Sequence, residues 1–176
     1  MRWIPFLLVV FAALLLQTTL VQALWLPTRF GWMGPELLAA MAVFVALNVR
    51  SGSDAALAGW TLGMAIDLTL SGEGMGLLSL LYAAAAAGVW QVRRSFFREK
   101  ILSQAILALG FCLVVYGVWS LFELLVGAHP AGDYGDRAMQ VLGLAVYTAV
   151  VAPVVYGLLR RMHKLLLAGP PPRERR

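Results

Sequence analysis

Residues 101–126 read ILSQAILALGFCLVVYGVWSLFELLV. These 26 residues hold one charged side chain, Glu123. A helix of that length rises about 39 Å at 1.5 Å per residue, enough to cross a hydrocarbon layer of about 30 Å. Five further apolar runs accompany it: Ile4–Leu26, Met33–Val49, Ala55–Leu70, Met75–Val92 and Ala138–Leu159. Together the six runs take up 122 of 176 residues.

The composition agrees. Apolar residues make up 61% of the chain and charged residues 13%, with a mean hydropathy of +0.80. Soluble domains carry roughly a quarter charged residues. A soluble enzyme, a nucleic-acid binder and a disordered chain are therefore excluded, and the solvent is expected to be lipid. Lipid cannot satisfy open backbone groups, so the spans must be helical. The expected fold is all-α, a polytopic membrane protein with six transmembrane helices within residues 1–168. The second to fourth runs have 17, 16 and 18 residues. Straight helices of that size reach only about 24 to 27 Å. Flanking Arg50 and Trp90 extend them by snorkelling and interfacial anchoring.

Loop charge sets the direction. With both termini in the cytoplasm, twelve of the fourteen basic residues lie inside. Among them are Arg50, Arg93, Arg94, Arg98, Arg160 and Arg161. Arg29 and Arg137 lie outside. The positive-inside rule favours this orientation over its inverse. Arg2, the run Ile4–Leu16 and the triplet Val21-Gln22-Ala23 resemble a signal peptide. The apolar stretch continues to Leu26, so an uncleaved first helix is expected. The tail 169–176, Gly-Pro-Pro-Pro-Arg-Glu-Arg-Arg, cannot continue a helix and is expected to be extended and disordered.

Ionisable groups inside spans are costly and are functional hypotheses by default. Asp67 and Glu123 both fall near the outer ends of their helices. Gly59, Gly63, Asp67 and Ser71 recur every four residues and form one slowly winding stripe. Gly59 and Gly63 permit close helix approach, so the stripe is expected to pack against a helix. Tyr116, Ser120 and Glu123 share a face of the fifth span. Gln17, Thr18, Thr19 and Gln22 lie in the outer half of the first. Gln17, Thr18, Asp67 and Glu123 are thus candidates for an outward-facing polar pocket, or for polar glue between helices. Glu36 and Glu73 are expected at the outer surface. The segment Ser71–Gly76 alternates glycines and suits a turn with unusual backbone angles. It lacks the lysine of a phosphate-cradling loop. Pro153 should kink the last span. Arg93, Arg94, Arg98, Arg160 and Arg161 form a cytoplasmic basic contact, either for anionic lipid or for a docked protein.

Catalytic chemistry finds little support. His129 and His163 fall on opposite sides of the membrane, and no paired-cysteine or paired-histidine metal spacing exists. Cys112, the single cysteine, lies in an apolar run and reads as a buried hydrophobe. Asp133 and Asp136 sit among glycines, where turn formation explains them. No cofactor and no enzymatic activity are expected.

The chain also resembles the MreD family, rod shape-determining membrane proteins of bacterial cell-wall elongation. The resemblance spans nearly the whole length. It rests on Leu14-Leu15-Leu16-Gln17-Thr18-Thr19-Leu20 and on Pro35-Glu36-Leu37-Leu38. It also rests on Gly59-x-x-x-Gly63-x-x-x-Asp67-Leu68 with Ser71-Gly72 and Gly76-Leu77, and on Pro153 followed by Leu158-Leu159-Arg160-Arg161. Here Thr69-Leu70 separates Asp-Leu from Ser-Gly, one residue more than in the family. The resemblance implies a fold similar to the substrate-binding membrane subunits of energy-coupling-factor transporters. It implies a non-enzymatic scaffold of the bacterial cytoplasmic membrane. Its partners would be an MreC-like bitopic protein, a RodA-type polymerase with its transpeptidase and, indirectly, MreB. Partner helices would lie on the small-residue stripe. The competing expectation is a vitamin-binding transporter subunit of the same architecture, which needs a ligand cavity open to the outside.

Overall fold

A computed structural model of the protein describes residues 3–19, 25–29, 31–69, 76–93, 101–126 and 134–167. Among these residues the chain folds into six helices and one small hairpin. The order is α1 (Trp3–Thr19), β1 (Leu26–Thr28), β2 (Gly31–Met33), α2 (Leu37–Asn48), α3 (Gly52–Asp67), α4 (Leu77–Val92), α5 (Ile101–Leu125) and α6 (Tyr134–Leu167). Two stretches are long and apolar enough to cross a membrane by length and composition, Leu102–Leu125 and Gly135–Arg161.

Helix α2 is the centre. Every residue from Leu38 to Leu47 is buried, and α2 touches all five other helices. A helix that is apolar on all sides has no solvent face and takes the middle of a helical body. The other helices turn apolar side chains both inward and outward. Phe6, Leu62, Tyr82, Phe111 and Tyr156 point into the core. Ile4 (77% exposed), Leu80 (62%), Leu102 (71%) and Val154 (74%) point away from it.

The element ends depart from the expected spans, most in the first, second and last of them. The second span, expected over Met33–Val49, is helical only over Leu37–Asn48. Pro35 pushes Gly34 towards extended backbone, and Met33 already pairs with Leu26. The resulting 12-residue helix is about 18 Å long, well short of a hydrocarbon core. The first span, expected to reach Leu26, is helical to Thr19, and Leu26 lies in β1. The Thr18 and Thr19 hydroxyls donate back to the carbonyls of Leu14 (3.0 Å) and Leu15 (2.5 Å) within α1, and residues 20–24 lie outside the described residues. Between α1 and α2, Leu26–Thr28 and Gly31–Met33 pair as the antiparallel hairpin β1–β2. The last span, expected over Ala138–Leu159, belongs to the 34-residue helix α6, which is about 51 Å long. It runs through Pro153 without interruption, leaving the Ala149 carbonyl without its usual amide partner.

Contacts between helix ends show an alternating path. The ends of α1, α3 and α5 meet the first halves of α2, α4 and α6 at one end of the body. That end carries Arg29 and Arg137 and is called the outer end here. At the opposite end Arg93, at the close of α4, reaches the Val49 carbonyl at the close of α2.

Candidate functional site

Helix α2 begins among the other helices, at half-buried Glu36 and Leu37, and its first backbone donors need partners. Buried N–H groups without an acceptor cost several kcal/mol in hydrocarbon. Neighbouring helices provide the acceptors. Gln17 of α1 accepts the Leu37 amide at 2.9 Å and donates to the Pro35 carbonyl at 3.3 Å. Thr148 of α6 accepts the Glu36 amide at 2.9 Å. The side chain of Glu36 is left free to turn inward, where it meets the Tyr116 hydroxyl of α5. That hydroxyl lies 3.1 Å from the hydroxyl of Tyr82 on α4. Cys112, one turn before Tyr116, is buried within reach of Thr148. The result is a polar knot drawn from α1, α2, α4, α5 and α6.

This knot corrects the reading of Glu36 as an outer-surface residue. Tyr116 lies nine residues before the end of α5, about 14 Å below it. Thr148 lies 14 residues into α6, about 21 Å along that helix. Glu36 therefore stands deep in the helical layer. Chemically, Glu36, Tyr116 and Tyr82 form a chain of three groups, each able to share a hydrogen bond with the next. The sequence did hold a signal for it. Glu36 opens a run that is apolar on every face, so its helix is central and its first residue starts inside. Thr148 and Tyr82 carry no comparable mark.

The proposed polar pocket of Gln17, Thr18, Asp67 and Glu123 does not assemble as one site. Gln17 caps α2, and Thr18 bonds back to its own helix. Asp67 is buried and accepts the amides of Gly76 (3.1 Å) and Ser79 (3.0 Å), the first donors of α4. Gly76 caps α4 at φ +97°, a left-handed angle that glycine adopts without strain. Glu123 instead forms an ion pair with Arg137 across α5 and α6. That pair borders a small polar pocket of about 170 Å³ that also includes Tyr116, Ser120 and Gln140. Tyr116 thus links the pocket to the Glu36 knot.

The small-residue stripe packs, and its occupant is α4 of the same chain. A Cβ at Gly59 would come within 2.5 Å of the Tyr82 carbonyl oxygen and 2.7 Å of Ala86 Cβ. At Gly63 it would come within 2.5 Å of Ser79 Cα. The expected seat for a partner helix is therefore taken, because α3 and α4 need the glycines to bring their backbones together. Ser71 lies outside the described residues.

The basic contact is likewise divided. Arg93 is engaged inside the fold, bonded to the Val49 carbonyl and stacked 4.9 Å from the Trp90 ring. Arg160 and Arg161 are exposed on α6. Arg94 and Arg98 lie outside the described residues, as does the tail 169–176. Among the described residues there is no group of three His, Cys, Asp or Glu side chains placed to hold a metal.

A second concavity is apolar. The hairpin residues Leu26 and Met33 face Leu142, Val146 and Val150 of α6 across an open groove of about 620 Å³, with Arg29 on its border. Gly143 lies against the flexible end of the Met33 side chain, the atoms that a side chain at 143 would meet first. No protein-family model, curated protein or solved structure matches this chain.

Proposed function

We propose that the chain is a multi-pass scaffold of a bacterial cytoplasmic membrane, with both termini in the cytoplasm, that acts in cell-wall elongation. In this reading it crosses the bilayer six times, the short α2 completing its crossing through the non-helical residues 34–36 that precede it. It holds an MreC-like bitopic protein beside a RodA-type polymerase and its transpeptidase, and through them MreB. The resemblance in Gly59–Leu68, Pro35–Leu38 and Pro153–Arg161 supports the reading. The observation that carries it is the surface. Large apolar side chains face outward on α1, α3, α4, α5 and α6, so contacts made within lipid are the chemistry this body offers.

Since α4 fills the glycine stripe, partner helices belong on the outward faces. Leu8, Phe11 and Leu15 of α1 form one such face. The vitamin-subunit alternative requires a ligand cavity. The polar pocket between α5 and α6, at about 170 Å³, is smaller than the roughly 300 to 1,000 Å³ of ordinary ligand sites, and the groove between the hairpin and α6, at about 620 Å³, falls within that range but has an almost wholly apolar lining.

A pull-down of the full chain in mild detergent, with every co-purifying protein identified, tests the proposal. Wall-synthesis proteins are expected. Recovery of an ATPase module, or micromolar binding of a vitamin by calorimetry, would turn the reading to the transporter class. A purified chain that stays monodisperse without detergent would remove the membrane premise.

A further inference from the structure

The apolar groove between the hairpin and α6 is unlike the outward faces of the other helices, because an exposed cation stands on its border. Two basic residues belong to the outer end. Arg137 is paired with Glu123. Arg29 is exposed, and no acidic partner meets it among the described residues. The chain's own path places Arg29 at the mouth. Glu36 is level with Thr148, and Met33 is level with Gly143, five residues nearer the start of α6. Running back from Met33, β2 continues outward to the turn that holds Arg29. The α6 wall extends from Met139 to Val150, about 17 Å of helix. That is close to half of a hydrocarbon core of about 30 Å, the depth of one leaflet.

We propose that this groove is a binding site for an anionic phospholipid of the outer leaflet, with one acyl chain along Leu142, Val146 and Val150 and the phosphate on Arg29. A guanidinium is the side chain best matched to a phosphate, because it offers paired donors in a plane. The hairpin is then one wall of the lipid site, with the Met33 side chain resting against Gly143 of α6. The inference rests on the membrane reading above, and it goes beyond the scaffold role.

The test is native mass spectrometry of the full chain in detergent, titrated with phosphatidylglycerol, phosphatidylcholine, diacylglycerol and, separately, inorganic phosphate. One phosphatidylglycerol per chain is expected to survive delipidation, with weaker retention of phosphatidylcholine and still weaker retention of diacylglycerol. Arg29→Gln should lower phosphatidylglycerol affinity about fivefold, the effect of one cation near a lipid surface. Val146→Trp should abolish retention by filling the groove. Both positions are exposed, so neither variant disturbs the core. Equal retention of phosphatidylglycerol and diacylglycerol, or unchanged retention in Val146→Trp, would overturn the proposal. So would protection of the groove by a co-purified membrane protein in place of lipid. Binding of inorganic phosphate alone would do the same, since it would show an anion site with no acyl component. A chain that needs detergent yet fails these lipid arms sinks the groove proposal alone and leaves the membrane reading standing.

Discussion

One carboxylate oxygen of Asp67, the last residue of α3, accepts the backbone amide of Ser79, the third residue of α4, at 3.0 Å. The same oxygen accepts the Gly76 amide. An acid from one helix thus caps the next, meeting both the open donors and the positive end of the helix dipole. It also explains why a buried carboxylate is tolerated beside an apolar core.

Asp67→Ala should lower stability by about 1–2 kcal/mol, the usual loss for a removed cap. Asp67→Asn should lose less, since its amide oxygen still accepts while the charge is gone. Unfolding in detergent, followed by circular dichroism, ranks the three proteins. Equal stability of all three would show that Asp67 does not cap α4.

At Gly63 the question is where a new side chain goes. Gly63→Ala should cost about 1–3 kcal/mol, as overpacking does, and Gly63→Leu should cost more. The thermal midpoint in detergent is the readout, read beside crosslinking yield to partners. A normal midpoint with reduced partner yield would return the stripe to an intermolecular role.

Two tyrosines in the knot should respond unequally. Tyr116 meets both Glu36 and Tyr82, whereas the Tyr82 hydroxyl bonds to Tyr116. Tyr116→Phe removes the middle of the chain and should cost about 1–3 kcal/mol, the range for stranding a buried polar group. Tyr82→Phe should cost less. Reversed order in chemical unfolding would mean that Glu36 does not depend on Tyr116.

Tyr156 offers the opposite sign. Its hydroxyl is buried and has no hydrogen-bond partner among the described residues, while its ring packs 5.7 Å from Phe44. Tyr156→Phe keeps the ring and removes the stranded hydroxyl. Stability should be unchanged or higher by up to about 1 kcal/mol. A clear loss would reveal a partner for that oxygen.

The ion pair of Glu123 and Arg137 should matter little to folding. The two side chains are 24% and 31% exposed. A double-mutant cycle with Glu123→Gln and Arg137→Gln should give a coupling of about 1 kcal/mol or less, falling with added salt. A coupling several times larger would make the pair a structural lock.

What the chain alone settled follows from one-dimensional quantities. Apolar run length and the scarcity of charge located all six helices, and the fall of hydrophobicity between runs separated them. The glycine spacing in α3 announced a close helix contact, and the alternating glycines before Leu77 announced a turn needing unusual angles, met at Gly76. The identity of each contact was another matter. Spacing says that Gly59 and Gly63 admit a backbone, and only packing decides that the backbone is α4 of the same chain. Hydropathy cannot see that α2 is short and central, because a buried helix and a crossing helix look alike residue by residue. Once α2 starts inside the body, its unpaired amides recruit Gln17 and Thr148, from positions 20 and 112 residues away in sequence. Glu36 then turns from a presumed surface acid into the centre of the polar knot. Hydrogen-bond demand at a buried helix end is a three-dimensional quantity, and no local pattern in the sequence encodes who will meet it.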